Sequence, residues 1–97
     1  LQTIFRYLDE NSLYPAILAG DLNSQPHDDS INCLRGKFDV FNDSRCDEPT
    51  ANSSKFGWVQ IDYIAAAPQS VVKCEKFFRG SDCTASDHYA VIADLEL

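Results

Sequence analysis

Three short polar clusters carry the side chains of this sequence that could do chemistry. Asp21 and Asn23 stand in the segment AGDLNSQP, Asp62 stands in IDYI, and Asp87 and His88 stand in SDH. Together they supply three carboxylates, one carboxamide and one imidazole, a set that can bind a divalent cation and move protons. No glycine-rich phosphate loop or nucleophile elbow accompanies them, so the set favours metal-assisted hydrolysis by water over covalent catalysis.

Each cluster also has an ordinary structural interpretation. Side chains two apart on an extended chain point the same way, but Asp21 and Asn23 equally suit an Asx-turn after the preceding glycine. Asp62 lies among large apolar residues, so it either faces water on an edge strand or meets a partner such as a histidine. His88 suits acid–base work near neutral pH, or it is a loop histidine beside a loop aspartate. His27, at a predicted helix start, is expected to be a surface residue.

Hydrophobic periodicity predicts the elements that must position these clusters. Apolar residues at i, i+3, i+4 and i+7 predict a first helix, at Leu1, Ile4, Phe5 and Leu8. The apolar run 16–19 predicts a strand buried on both faces, and acidic residues at 28–29 begin a second helix that ends near Gly36. Further strands are predicted at 38–41, 58–67, 71–78 and 91–97, with polar loops at 42–57 and 79–86. Helices and strands are mixed, so the class is α/β or α+β.

Composition limits the classes of protein that fit. A chain of 97 residues with 44% apolar residues suggests one small globular domain. Fifteen acidic residues against 8 basic ones give a formal net charge of −7. That charge argues against a broad nucleic-acid surface made by this segment and suits a divalent metal. No apolar run approaches the roughly 20 residues of a membrane helix. No signal peptide is visible, so a cytoplasmic and a secreted location both remain open.

Cysteines and glycosylation patterns leave the compartment open as well. The four cysteines lack the C-x-x-C spacing of zinc or redox sites and stand at positions 33, 46, 74 and 83. Reduced thiols and the disulfides of an exported protein both fit, with three possible connectivities. Asn42 and Asn52 each begin a glycosylation pattern. This pattern is too short to decide whether the protein is exported.

Taken together, the three clusters resemble, in order, three signatures of the endonuclease/exonuclease/phosphatase superfamily of metal-dependent phosphoesterases. The resemblance spans nearly the whole chain, and its last motif runs into a predicted closing strand. It implies half of a four-layer αββα sandwich of the DNase I-like type, with a mixed or antiparallel sheet and helices on one face. Residues 1–97 would then form the C-terminal portion of a single such domain. This interpretation agrees with a sequence that opens at Leu1 inside a helical pattern.

The resemblance also implies a role for each residue. Asp21 would orient or deprotonate the attacking water, and Asn23 would hold that water and a phosphate oxygen. His88 would stabilise the developing charge on the phosphate, and Asp62 would keep the imidazole oriented and protonated. Asp87 and Asp21 would lie on the metal side of the site, where oxygen ligands suit Mg²⁺ or Mn²⁺. The implied partner is a phosphate-ester substrate: a nucleic acid, a phospholipid or a small phosphoester.

The first half of the family domain, with its own metal-binding asparagine and glutamate, has no match in these residues. The 97-residue chain is therefore expected to be inactive alone, and to dimerise or aggregate through an exposed sheet face. Tyr89 and Ala90 follow the SDH motif where the family often has a proline second, a departure expected to leave the chemistry intact. The alternative function is a non-catalytic interaction module on the same fold. Such a module would be marked by loss of a polar site residue, and all five are present.

Overall fold

The fold is a small mixed α+β domain, as the sequence predicts. The structure, a computed structural model, describes residues 2–42, 48–81 and 86–97. Within them the elements are α1 (Gln2–Asn11), β1 (Ala16–Asp21), α2 (Asp29–Arg35), β2 (Asp39–Val40), β3 (Ala51–Ser53), β4 (Gly57–Val59), β5 (Asp62–Ala67), β6 (Lys73–Arg79) and β7 (Val91–Glu96). All the strand pairs among these elements are antiparallel. Neither helix in the described ranges has the length and apolar character needed to cross a membrane.

A three-stranded sheet in the order β1-β5-β2 forms the centre of the domain. All six residues of β5 are buried, and its small alanines allow close packing on both faces. The register pairs β1 with β5 along their length, from Ala16 opposite Ala67 to Asp21 opposite Asp62. Because directly opposed residues in an antiparallel pair lie side by side, this register brings two of the predicted site carboxylates to the same end of the sheet.

Both helices contribute to a hydrophobic core that lies against this sheet. The core consists of Phe5, Ile31, Leu34, Phe38, Val40, Tyr63, Ala65 and Ala67. The Phe5 and Phe38 rings stack with their centroids 5.7 Å apart, which fastens α1 to the segment after α2. Burial of large apolar side chains is the main favourable contribution to such a fold. The core thereby holds the sheet rigid beneath the end that carries Asp21 and Asp62.

The prediction that β1 is buried on both faces was wrong. Its burial alternates through its first residues, and Ile17 is 54% exposed. The reason is position: β1 is an edge strand of the β1-β5-β2 sheet, whereas β5 occupies the centre. A continuous apolar run is typical of a buried strand, but it cannot say which of two such strands occupies the centre.

The predicted polar loop at 42–57 and the predicted single strand at 58–67 were also wrong in part. A short hairpin, β3–β4, spans the end of the predicted loop and the start of the predicted strand, with Ala51 opposite Val59. The hydroxyl of Ser53 accepts hydrogen bonds from two backbone N–H groups of the turn. Residues 60–61 lie outside both strands, so β4 and β5 do not form one continuous strand. Residues 43–47 of the predicted loop lie outside the described residues.

The remaining strands follow the predictions closely. β6 and β7 form an antiparallel pair with an irregularity between Cys74 and Lys76, and β7 alternates between partly buried and exposed residues. β7 also contacts β5, which links this pair to the central sheet. Cys33 and Cys74 are free thiols. Cys46, Cys83 and residues 82–85 of the predicted loop at 79–86 lie outside the described residues.

Candidate active site

Asp62 begins the central strand, and its backbone is held on both sides. Its N–H donates to Oγ1 of Thr50 over 3.1 Å, and its carbonyl accepts from Nδ2 of Asn42 over 2.6 Å. Oδ1 of Asn42 also accepts from the Ile64 N–H, over 3.1 Å. Asn42, which begins a glycosylation pattern, is therefore buried and committed to the fold. These bonds fix the direction of the Asp62 side chain, which is only 12% exposed.

His88 lies in a segment that runs along the outer edge of β3. The backbone of Asn52 donates to the carbonyl of Asp87 over 2.8 Å, and that of Tyr89 donates to the carbonyl of Thr50 over 2.7 Å. A bridge between Ala51 and His88 lies between these two bonds. β3, which lies within the predicted loop at 42–57, is thus the element that places the histidine.

The imidazole of His88 and the carboxylate of Asp62 form a direct pair. Nδ1 of His88 lies 2.7 Å from Oδ2 of Asp62. Nε2 faces two more carboxylates, with Oδ2 of Asp21 and Oδ1 of Asp87 each 3.8 Å away. The hydrogen bond to Asp62 raises the pKa of His88 and the three negative charges add to this effect, while partial burial opposes it. The arrangement favours an imidazolium whose Nε2–H points toward the open side of the site.

Asp21 forms the Asx-turn that the sequence allows, and it also faces His88. Its Oδ1 accepts from the backbone N–H of Asn23 over 2.8 Å, which is an Asx-turn. Its Oδ2 is the oxygen that faces His88. Asn23 adopts φ of 51°, a left-handed conformation that asparagine tolerates better than most residues. The turn therefore occupies one oxygen of the carboxylate and leaves the other directed into the site.

The carboxylates differ in how available they are to a cation. Ligand atoms of Asp21, Asp62 and His88 all lie within 4.8 Å of one another. Oδ2 of Asp62 and Nδ1 of His88 are bonded to each other, whereas one oxygen of Asp21 and one of Asp87 face the other imidazole nitrogen from 3.8 Å. Their side chains are 37% and 76% exposed. Exposed carboxylate oxygens are ligands of the kind that Mg²⁺ and Mn²⁺ prefer.

Aromatic side chains flank the histidine segment. The rings of Trp58 and Tyr89 are 5.6 Å apart. The guanidinium of Arg79 lies 4.0 Å from the centre of the Tyr89 ring, within cation–π distance. Arg79 also donates to the carbonyl of Pro49 over 2.9 Å and pairs with Glu48 over 3.2 Å. These contacts fasten the segment after His88 to β6.

A cleft extends away from the site on the side of Asn23. It encloses about 600 Å³ and is lined by Asn23, Gln25, Asp28, Ser53, Phe56, Val59 and Ile61. Apolar side chains of the β3–β4 hairpin form one wall, and polar side chains after β1 form the other. A ligand in this cleft could therefore make both apolar and polar contacts.

The structure brings together the side chains of Asp21, Asp62, Asp87 and His88, and joins Asn23 to them through its backbone. His27 is 79% exposed, as expected for a surface residue. The sequence analysis missed Thr50, which bonds to segments on both sides of the Asp62–His88 pair. A single threonine in a polar stretch gives no signal of this kind, because its partners are backbone groups of distant segments.

Comparison of the chain with protein-family models, with curated proteins and with solved structures gave no match. A functional proposal for the chain therefore depends on the chemistry of the site and on the resemblance of its three motifs.

Proposed function

We propose that this chain carries the C-terminal half of the active site of a metal-dependent phosphoesterase of the endonuclease/exonuclease/phosphatase type. The reaction would be hydrolysis of a phosphodiester or phosphomonoester by attack of water. The observation that carries the proposal is the 2.7 Å hydrogen bond between His88 and Asp62, with carboxylate oxygens of Asp21 and Asp87 each 3.8 Å from the other imidazole nitrogen. The motifs that suggest this chemistry lie in three separate segments, and their side chains meet at one end of the β1–β5 pair.

His88 would stabilise the charge that develops on the phosphate. Its Nδ1 is occupied by Asp62, so Nε2 is the nitrogen left to donate to a phosphate oxygen. Hydrogen-bond donors held in place before the reaction lower the barrier because they need no rearrangement as charge develops. The pKa of His88 is raised chiefly by its hydrogen bond to Asp62, which favours the protonated ring.

Asp21 and Asn23 would handle the attacking water. The turn bond from the Asn23 N–H holds Oδ1 of Asp21, which leaves Oδ2 to accept a hydrogen bond or a proton from water. The carboxamide of Asn23 can donate to a phosphate oxygen and accept from the same water. Both residues follow an ordered strand, so the water would be held relative to the phosphate by a short and constrained turn.

Asp21 and Asp87 would hold Mg²⁺ or Mn²⁺, and their exposed oxygens fit such an ion in charge and ligand type. When bound, the cation offsets the negative charge of the phosphate and of the carboxylates around it. Without such compensation, three carboxylates would repel a phosphate ester. Further metal ligands would come from residues outside this chain, in line with the proposal that it supplies half of a domain.

The proposal extends to the fold, as half of a DNase I-like sandwich. It is supported by a central strand buried on both faces, by two helices packed on one side of the sheet, and by β7 in contact with β5. The exposed Ile17 on β1 is where an additional layer or strand would find apolar surface. The cleft beside Asn23 would receive the group esterified to the phosphate. No observation in the described residues favours the alternative of a non-catalytic module.

The test is hydrolysis of bis(4-nitrophenyl) phosphate by the protein that contains this chain. We expect turnover with Mg²⁺ or Mn²⁺, loss of turnover with EDTA, and recovery when either ion is added in excess. Residues 1–97 alone should give no turnover under the same conditions. Hydrolysis that is insensitive to the chelator, or the absence of hydrolysis with either ion across phosphodiester and phosphomonoester substrates, would overturn the proposal.

A further inference from the structure

We infer that Thr50 is a positioning residue, whose hydroxyl sets the place of Asp62 relative to His88. The inference rests in part on the proposed function, because it names the residue that would align the pair for the reaction. Thr50 lies too far down in the fold to touch a substrate, being 2% exposed. It would therefore act only through the two residues that it aligns.

The side chain of Thr50 controls the start of β5. Its Oγ1 accepts hydrogen bonds from the backbone N–H groups of Ile61 and Asp62, over 3.0 and 3.1 Å. Both groups lie where the chain passes from β4 to β5. An oxygen that accepts two successive N–H groups fixes the local backbone direction, and hence the direction in which the Asp62 side chain leaves the strand.

The main chain of Thr50 controls the histidine segment. Its carbonyl accepts from the N–H of Tyr89, the residue after His88, over 2.7 Å, and its own N–H donates to the carbonyl of Val59 over 2.8 Å. One residue therefore contacts the strand that carries the carboxylate and the segment that carries the imidazole. The 2.7 Å distance between Nδ1 and Oδ2 depends on both connections.

The side chain of Asn42 offers a comparison, because its hydrogen bonds reach β5. It is also buried and polar, and its amide bonds to the backbone of Asp62 and Ile64 on β5. These contacts support β5, whereas those of Thr50 span β5 and the His88 segment. Thr50 thus has the geometry to set a distance between two segments as well as to stabilise one strand.

Replacing the hydroxyl by a methyl group tests whether Thr50 sets the distance between Asp62 and His88 or only stabilises β5. Thr50→Val keeps the shape and all main-chain bonds but leaves two N–H groups without their acceptor, which is costly in a buried place. The start of β5 should then shift and the Asp62–His88 bond should lengthen. Because small misplacements of reacting groups are expensive, we expect kcat of the full protein to fall roughly 10- to 100-fold, with KM nearly unchanged.

The experiment compares Thr50→Val with Thr50→Ser, which keeps Oγ, and with Thr3→Val on the exposed face of α1 as a matched control. The direct readout is the ¹H NMR resonance of the His88 Nδ1–H, which moves far downfield when this proton is shared with a carboxylate. We expect the resonance in wild type, Thr50→Ser and Thr3→Val, and its loss or upfield movement in Thr50→Val. Thr50→Cys, whose sulfur is a weak acceptor, should behave like the valine variant and serves if that variant does not fold.

Two results would overturn the inference. One is a folded Thr50→Val or Thr50→Cys protein with an unchanged imidazole resonance and an unchanged kcat. The other is a Thr50→Ser protein that loses the resonance as fully as the valine variant, since the hydroxyl would then not be responsible. Failure of the proposed function is distinguishable, because a wild-type protein without phosphoesterase activity still gives the NMR comparison its answer.

Discussion

Asp21 and Asp62 lie directly opposite each other in the β1–β5 pair, yet their surroundings differ. Asp62 is 12% exposed and bonded to His88 at 2.7 Å, whereas Asp21 is 37% exposed and 3.8 Å from the same imidazole. The buried carboxylate already has its partner and can do little but hold the ring. The exposed carboxylate has one oxygen, Oδ2, that faces the imidazole from 3.8 Å and can meet water or a cation.

The difference follows from the place of each strand in the sheet. β5 is central and buried on both faces, and the backbone of Asp62 donates a hydrogen bond to Thr50 and accepts one from Asn42. β1 is an edge strand that ends in an Asx-turn, with Asn23 in a left-handed conformation. The central strand thus supplies a fixed support, and the edge strand supplies groups that remain open to a ligand.

Removal of the imidazole should have the largest effect. In the full protein, His88→Ala should lower kcat/KM for a phosphodiester by roughly 10²- to 10⁴-fold, the range typical of a group that assists at the transition state. The matched control is His27→Ala, which removes the other histidine of the chain, a surface residue with a 79% exposed side chain. It should stay within about twofold of wild type. Near-full activity in His88→Ala would contradict the role given to the histidine.

The two opposed carboxylates should differ in stability. Asp62→Asn weakens a charged and largely buried hydrogen bond, so we expect the free energy of unfolding to fall by about 1–2 kcal/mol. Asp21→Asn removes an exposed charge and should change it by less than about 0.5 kcal/mol. Urea unfolding followed by circular dichroism measures both. Equal losses in the two variants would mean that burial does not separate their roles.

The pH dependence of stability should carry the signature of His88. Its pKa is raised in the folded state above the ordinary value of 6.5, chiefly by the hydrogen bond to Asp62. Protonated His88 therefore stabilises the fold fully below that ordinary value, and this contribution is lost as the pH rises through the raised pKa. Urea unfolding between pH 6 and 9 should show a decline that His88→Gln removes. If the stability of His88→Gln declined identically over this pH range, the decline would belong to other titrating groups.

The smallest effect on stability is expected from a substitution at the Asx-turn. Asn23→Gly keeps a residue that accepts φ of 51° and removes only the carboxamide, so stability should change by less than about 0.5 kcal/mol while the hydrolytic rate falls. Asn23→Ala should cost about 1 kcal/mol more, because a Cβ disfavours the left-handed conformation. Thermal unfolding of both variants checks this. A glycine variant less stable than the alanine variant would contradict it.

Much of the fold could be predicted from local patterns. The helix around Phe5, the acidic start of α2 and the alternation in β7 each reflect a periodicity that a short segment carries by itself. The meeting of Asp62 with a histidine was also foreseeable, since a carboxylate among apolar residues needs a partner. In these places a local signal and the tertiary structure agree.

The rest depended on contacts that no local pattern encodes. The β3–β4 hairpin has three-residue strands containing asparagine, serine and glycine, and its edge pairs with the backbone beside His88. Likewise, the break before β5 interrupts a continuous apolar alternation, and the side chain of Gln60 donates there to the carbonyl of Asn42. The exposure of Ile17 reflects the position of β1 in the sheet. Each of these features is decided by a distant segment.

A double-mutant cycle on the hydrolytic rate tests most directly whether Asp62 acts through His88. The four proteins are wild type, Asp62→Asn, His88→Ala and the double variant, each assayed with Mg²⁺ and a phosphodiester. If Asp62 works only by holding the imidazole, adding Asp62→Asn to His88→Ala should slow the reaction little further, because residues that act as a unit are not additive. A double variant slower by the product of the two single losses would show independent action and contradict the account.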